Sequence, residues 1–223
     1  MRLLACLVLA GCASQPPQVL CSESVDNPER DPSWAWLGAQ IHSARASHTV
    51  LAVHGHVPGE VLQISTIRTL FDLAAREDLP VIRYDEITTA TEGGLALAID
   101  DNAIDDWYAL RPLFAEYGAH ITFFVSRWSL QQPQQIDELL QLAADGNELE
   151  PHTVNHLHAL DYIRDHGLDA WLADEVDPSI DIMRQAGYSP AFLAYPFGER
   201  DDATDAALLE RVGAIRATGH YCR

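Results

Sequence analysis

Three short stretches of this sequence carry side chains that could act on one substrate: Asp100-Asp101, His152-Thr153-Val154-Asn155-His156 and Ala194-Tyr195-Pro196-Phe197-Gly198. The two acids stand at the exit of the apolar run 95–99. An Asp there commonly caps a following helix. One cap uses one Asp, however, and adjacent carboxylates repel unless something positive shares them. Two His four residues apart fall on one face of a helix and offer both imidazoles to one ion, although His pairs at this spacing also arise by chance. Adding one upstream carboxylate gives a set of two His and one Asp, with open positions, for a divalent metal. Zinc held in this way lowers the pKa of a bound water to about 7, and the same set suits non-haem iron. The second Asp then has a role that a cap does not explain, taking a proton from that water as general base. A stretch such as 194–198 is commonly a plain Pro-containing turn. In an active site it can aim backbone N–H groups at a developing oxyanion.

Groups so far apart in the chain need strands that end side by side. Short apolar or β-prone runs at 49–53, 80–84, 95–99, 120–125, 148–150, 191–195 and 214–218 read as strands. Helical periodicity covers 65–77, 105–117, 134–145, 168–186 and 203–212, with Pro112 and Pro178 each expected to kink or divide its helix. Strands alternating with helices predict an α/β fold on a parallel sheet, either open and doubly wound or closed into a distorted barrel. In both, chemistry gathers at the C-terminal ends of strands, where all three stretches lie.

The chain has 223 residues, of which 48% are hydrophobic, enough for one domain with a tail. Its basic residues are 14 Arg against 33 acids, a formal net charge of −19. Such a chain repels phosphate backbones, and no Arg cluster makes a local exception, so nucleic acid is not an expected partner. The acidity reads as a solvated surface. Met1-Arg2, the apolar run 3–9 and Leu9-Ala10-Gly11-Cys12 resemble a bacterial lipoprotein signal. The apolar run is too short for a bilayer span, which needs roughly 20 residues. The resemblance implies removal of residues 1–11, lipidation of Cys12 and anchoring in the cell envelope; Ala13 after the Cys favours the outer membrane, facing the periplasm. Residues 12–33, rich in Ser, Pro, Gln and Asp, read as a tether, and 34–223 as the domain, expected to be a monomer. With Cys6 lost and Cys12 lipidated, Cys21 and Cys222 remain, either as a disulfide in an oxidising compartment or as free thiols.

The motifs resemble those of the polysaccharide deacetylases (carbohydrate esterase family four). Leu97-Ala98-Ile99-Asp100-Asp101, 152–156 and Tyr195-Pro196-Phe197-Gly198 follow in that family's order and spacing, as do 117–125 and 146–149, so that the resemblance spans roughly 49–218. It implies a distorted (β/α)7-type barrel and metal-dependent removal of N-acetyl groups from a glycan. Carried over, Asp100 is the catalytic base, Asp101, His152 and His156 hold the metal, and the Phe197 backbone N–H helps bind the oxyanion. Zinc is the expected ion, with cobalt or nickel as substitutes. The chain departs from the family pattern at Asn102, where Gly is usual, at Phe197, where Tyr is usual, and at Ala194, where an Arg is often found.

Expelling an amine also requires an acid, and the family's Leu-x-His segment has no counterpart in this sequence. Val50-Leu51-Ala52-Val53-His54 resembles the N-terminal Tyr-His strand of the poly-N-acetylglucosamine deacetylase subgroup, which ranks His54 first as acid, then His56, then His220. The expected function is deacetylation of an N-acetylated envelope or extracellular polysaccharide. The alternatives are a non-catalytic, glycan-binding envelope lipoprotein on the same fold, and hydrolysis of a small amide or ester.

Overall fold

The computed structural model describes residues 19–26, 33–218 and 221. Among these residues one parallel sheet holds eight strands. They are β1 (Val19–Ser24), β2 (Val50–His56), β3 (Val81–Ile82), β4 (Gly94–Asp101), β5 (Thr122–Val125), β6 (Glu148–Pro151), β7 (Phe192–Ala194) and β8 (Ala214–Thr218). The hydrogen-bonded order is β6-β5-β4-β2-β1-β8-β7, with β3 a spur on β4. At the two ends of that order the Glu150 carboxylate of β6 accepts hydrogen bonds from the backbone N–H groups of Ala191 (3.0 Å) and Phe192 (3.1 Å). A side chain therefore closes a seam that no backbone ladder crosses among the described residues. The result is the expected α/β architecture, a distorted barrel ringed by helices.

Side-chain alternation sorts the strands into two faces. On β4, Leu95, Leu97 and Ile99 join the apolar layer under the helices, whereas Ala96 and Ala98 face the barrel interior. Small residues are needed there because Tyr84, Phe124 and Phe192 fill the lower barrel, Tyr84 meeting the other two edge-on at 5.3 and 5.6 Å between centroids. Asp100 continues the Ala96, Ala98 face. His54 and His56 continue that of Ala52, Arg216 that of Ala214, and His152 that of Glu148 and Glu150. The interior is thus apolar at one end and polar at the C-terminal ends of the strands.

Pro112 and Pro178 act as expected. Pro112 opens the second of two short helices, Ile104–Ala109 and Arg111–Tyr117, and Pro178 lies in the first turn of Asp177–Gln185 after a π-helical turn at Leu172–Val176. For Pro112, in a first turn, the missing N–H leaves no bond unmade; at Pro178 the helical path runs on from the π turn, which marks where the missing N–H interrupts the regular ladder. The strand expected at 80–84 is only Val81–Ile82. The Glu148 carboxylate accepts the N–H groups of Tyr84 and Asp85, and the chain leaves the sheet as a 3₁₀ turn. Part of the expected tether is also a strand: β1 lies between β2 and β8. Its alternation of Leu20, Ser22 and Ser24 toward the barrel lacks the apolar run that marks the other strands. Helices Trp34–Ser47 and Ala159–His166 were not foreseen; the first buries only Leu37, Ile41 and Ala44 and the second only Ala159. Cys21 is disulfide-bonded. Cys222, Cys12, His220 and the expected signal, residues 1–11, lie outside the described residues, among which no helix is long and apolar enough to cross a membrane.

Burial, with Glu148 alongside, raises the Glu150 carboxyl well above the ordinary range and so favours its neutral form. Replacing it by an apolar residue orphans two buried N–H donors at the seam. Glu150→Leu is expected to cost roughly 1–3 kcal/mol, read as a lower urea midpoint at unchanged slope. Glu150→Gln, which keeps an acceptor oxygen, should cost less.

Candidate active site

The polar end of the barrel opens into a cavity of about 420 Å³ lined by His54, His56, Asp100, Asp101, His152, His156, Phe197 and Arg216, with Glu23, Ser24, Tyr195 and Thr218. The five expected site residues within the three stretches, together with His54 of β2, therefore reach one space. Asp100 arrives by strand alternation. Asp101, next along, belongs by alternation on the opposite face, but its φ of 86° breaks the extended conformation and its carboxylate meets the two His instead. The His pair is not on a helix, as its spacing suggested. β6 ends at Pro151, and a tight loop with Thr153 (φ 65°) and His156 (φ 59°) in the left-handed region brings the rings to 4.8 Å between centroids. Phe197 is also left-handed, at φ 58°. Left-handed non-glycine residues are strained, and they gather where surrounding structure holds a functional geometry. Gly198 permits the Phe197 turn, since a Cβ there would lie 2.2 Å from Thr218 Oγ1.

Asp101, His152 and His156 offer ligand atoms all within 4.8 Å of one another. Asp101 Oδ1 lies 3.1 Å from His156 Nε2 and 3.7 Å from His152 Nε2, yet it is buried without a hydrogen-bond partner. Tetrahedral zinc, about 2.0–2.1 Å from each donor, would set its ligands about 3.4 Å apart. The imidazole of His152 is pre-oriented: its Nδ1 lies 2.8 Å from the Ala194 carbonyl, which can only accept, so Nδ1 carries the proton and Nε2 a free lone pair. Burial first, then His156 and Arg216, hold the pKa of His152 well below the ordinary value, which keeps it neutral. Burial opposes ionisation of Asp101, but contact with His156 outweighs it and holds its carboxyl far below the usual range. A neutral imidazole and an ionised carboxylate are the forms that bind a cation. The residues fit a divalent metal.

The charge on Asp100 is answered by a residue that sequence reasoning missed. Arg216 of β8 forms a buried ion pair with Asp100 Oδ2, each side chain 1% exposed. It faces Ala194 directly in the β7–β8 register. The guanidinium whose absence at Ala194 was noted thus arrives from the neighbouring strand. A lone Arg inside the apolar strand 214–218 was the available signal, because a buried charge must find a partner. Asp26 was missed as well. It accepts from the His56 backbone N–H at 2.8 Å and pairs with His56 Nδ1 at 2.7 Å, leaving Nε2 3.7 Å from Asp100. Gly55 makes room, since a Cβ on it would come within 3.0 Å of Asp26 Oδ1. Burial opposes protonation of His56, but the hydrogen bond to Asp26 and the charge of Asp100 raise it to about 9. His54 is 2% exposed, with Nδ1 2.8 Å from Ser22 Oγ, and burial followed by Arg216 lowers it to about 3. At neutral pH His56 is therefore charged and His54 neutral.

A profile of the family described as polysaccharide deacetylase matches residues 88–214. The chain belongs to this family. Asp26, His54, His56 and Arg216 lie outside the stretch by which the polysaccharide deacetylase profile is matched. A solved de-N-acetylase from Aggregatibacter actinomycetemcomitans is similar in fold, with a TM-score of 0.60 and 18% identity over 77% of this chain and 87% of that one. IcaB from Ammonifex degensii aligns with a TM-score of 0.48 and 15% identity, over 92% of this chain and 86% of its own. The chitin deacetylase of the fungal pathogen Colletotrichum lindemuthianum gives 0.46 and 20%, over 56% and 54%. No curated protein sequence matches the chain.

Removing Arg216 alone would strand a buried carboxylate. Arg216→Met is expected to cost about 3–5 kcal/mol, and adding Asp100→Asn should recover part of that loss. A double-mutant cycle on urea midpoints reads the coupling. Additive costs would show that the pair is not what holds Asp100.

Proposed function

We propose that this polysaccharide deacetylase family member removes N-acetyl groups from an N-acetylated glycan, with a divalent metal, most simply zinc, held by Asp101, His152 and His156. One observation carries the reading. An unpartnered, buried Asp101 oxygen faces two imidazole nitrogens beside a second carboxylate that has its own Arg. When bound, a divalent ion supplies Lewis acidity toward a carbonyl and acidifies a water that it touches.

This chain's own residues supply the rest. Asp100, held in place by its ion pair with Arg216, accepts the proton of the attacking water. The water oxygen bonds to the acetamide carbon, and the Phe197 backbone N–H serves the developing oxyanion. The C–N bond then breaks as the amine takes a proton, releasing acetate and a free amino sugar. We assign that proton to His56 rather than to His54. His56 is charged, fixed at Nδ1 by Asp26 and directed by Nε2 into the cavity, whereas His54 is neutral, and a neutral imidazole has no proton to lend beyond the one that sets its tautomer. The resemblance of residues 1–12 to a lipoprotein signal further supports anchoring through Cys12 in the outer membrane, facing periplasmic glycan, where we propose that the protein acts as a monomer.

Asp100→Asn should abolish acetate release from chitin-type oligomers, peptidoglycan fragments and poly-N-acetylglucosamine while the protein still binds one zinc. Near-full activity in that variant would remove Asp100 from the base role. Stripping metal with a chelator should stop acetate release, and zinc or cobalt should restore it. The acid can be tested through the leaving group, since an activated acetyl ester needs no protonation to depart. His56→Ala should lose about 10²–10⁴-fold on the amide and far less on 4-nitrophenyl acetate. An equal loss on both substrates, or the selective loss in His54→Ala instead, would overturn the assignment.

A further inference from the structure

Beyond the three residues assigned to the catalytic metal, a second convergent donor set lines the same cavity: His54, His56 and Asp100, whose ligand atoms all lie within 4.8 Å of one another. We propose that these three side chains form a second divalent-cation site, weaker than the first, whose occupation silences the enzyme. The inference rests on the deacetylase reading only in its consequence for activity; the site itself stands on geometry.

Three observations point to it. Both imidazoles are tied back at Nδ1, His54 on Ser22 Oγ (2.8 Å) and His56 on Asp26 Oδ2 (2.7 Å). A partner on one ring nitrogen is the usual support of a metal-ligating His, because it fixes the ring and leaves Nε2 as the donor. Next, His56 Nε2 stands 3.7 Å from Asp100 Oδ2, with the two rings edge-to-face at 5.5 Å, so the nitrogens and the carboxylate converge rather than splay. Last, Asp100 Oδ1 is buried with no hydrogen-bond partner. Arg216 takes the other oxygen, Oδ2, and leaves this one to be satisfied from the cavity.

The same Arg216 sets the rank of the two sites. Its buried guanidinium repels a further cation at Asp100, whereas Asp101 has no Arg against it among the described residues. The set next to Asp101 therefore fills first. A cation on His54, His56 and Asp100 engages the lone pair of the base and displaces the proton that the acid would deliver. Activity should accordingly rise with the first equivalent and fall with the second.

Equilibrium dialysis of the chelator-stripped full-length protein against zinc, with elemental analysis, tests this directly. Wild type should bind two equivalents, one tight and one weaker, and acetate release should peak near the first. His54→Ala and His56→Gln should each lose the weaker equivalent and keep the tight one, which also shows that the cavity has folded. His156→Ala should lose the tight one and keep the weaker. Binding of a single equivalent by wild type, or a second equivalent that both His54→Ala and His56→Gln retain, overturns the proposal. A single equivalent with full activity would sink the second site and leave the deacetylase reading standing. Two equivalents with the stated losses, without acetate release, would support the site and sink that reading.

Discussion

Two carboxylates on consecutive residues at the mouth of a buried barrel cannot both stay ionised without separate positive partners. The polar end of this barrel is arranged around that constraint. Asp100 takes Arg216, delivered from β8 at the level of Ala194. Asp101 is turned away from it by a left-handed backbone and given to His152 and His156. The split converts two repelling acids into two different tools. One is a carboxylate already paired with a fixed guanidinium, suited to accepting a proton. The other has an oxygen with no internal hydrogen bond, suited to a cation.

A second level of organisation acts on the imidazoles. His152, His54 and His56 are each anchored at Nδ1, by the Ala194 carbonyl, the Ser22 hydroxyl and the Asp26 carboxylate in turn. The anchor fixes which ring nitrogen is left free, and burial sets the rest. Burial keeps His152 and His54 neutral, whereas the Asp26 carboxylate draws His56 toward the cationic form. Three rings of one residue type thus acquire different proton affinities from depth and from their partners together. The barrel tolerates this polar layer because its lower half is packed with Tyr84, Phe124 and Phe192 against alanines, which leaves the polar groups one open end.

This explains which parts were legible in the sequence. Asp100-Asp101 and His152…His156 were readable because each pair is compressed into five residues or fewer at the end of a short strand. Their local geometry was not: the His pair suggested a helix, and the chain instead reaches the same juxtaposition through two left-handed residues. The partners were invisible for a different reason. Arg216 is 116 residues from Asp100, and Asp26 is 30 residues from His56. Neither pairing leaves a local pattern, because only sheet register brings the groups together. Asp26 was further hidden in a stretch whose Ser- and Pro-rich composition reads as linker, although Val19–Ser24 inside it is an interior strand. Of these two missed partners, Arg216 alone carried a warning, as a charge within an otherwise apolar strand.

The order of the candidates for the acid shifts on the same physics. His54 is the better match in sequence because it falls where a related strand carries its His. The register of β2 then places His54 and His56 on one face, so strand position cannot separate them. What separates them is depth. His54 lies beside Ser22 and within the field of Arg216, where a second positive charge is penalised. His56 lies two residues nearer the mouth, where Gly55 lets Asp26 fold over the strand and stabilise one. A barrel interior that grades from apolar to wet thus sets the charge of two imidazoles by position along a single strand. It does so through groups that lie outside the stretch by which the family is recognised.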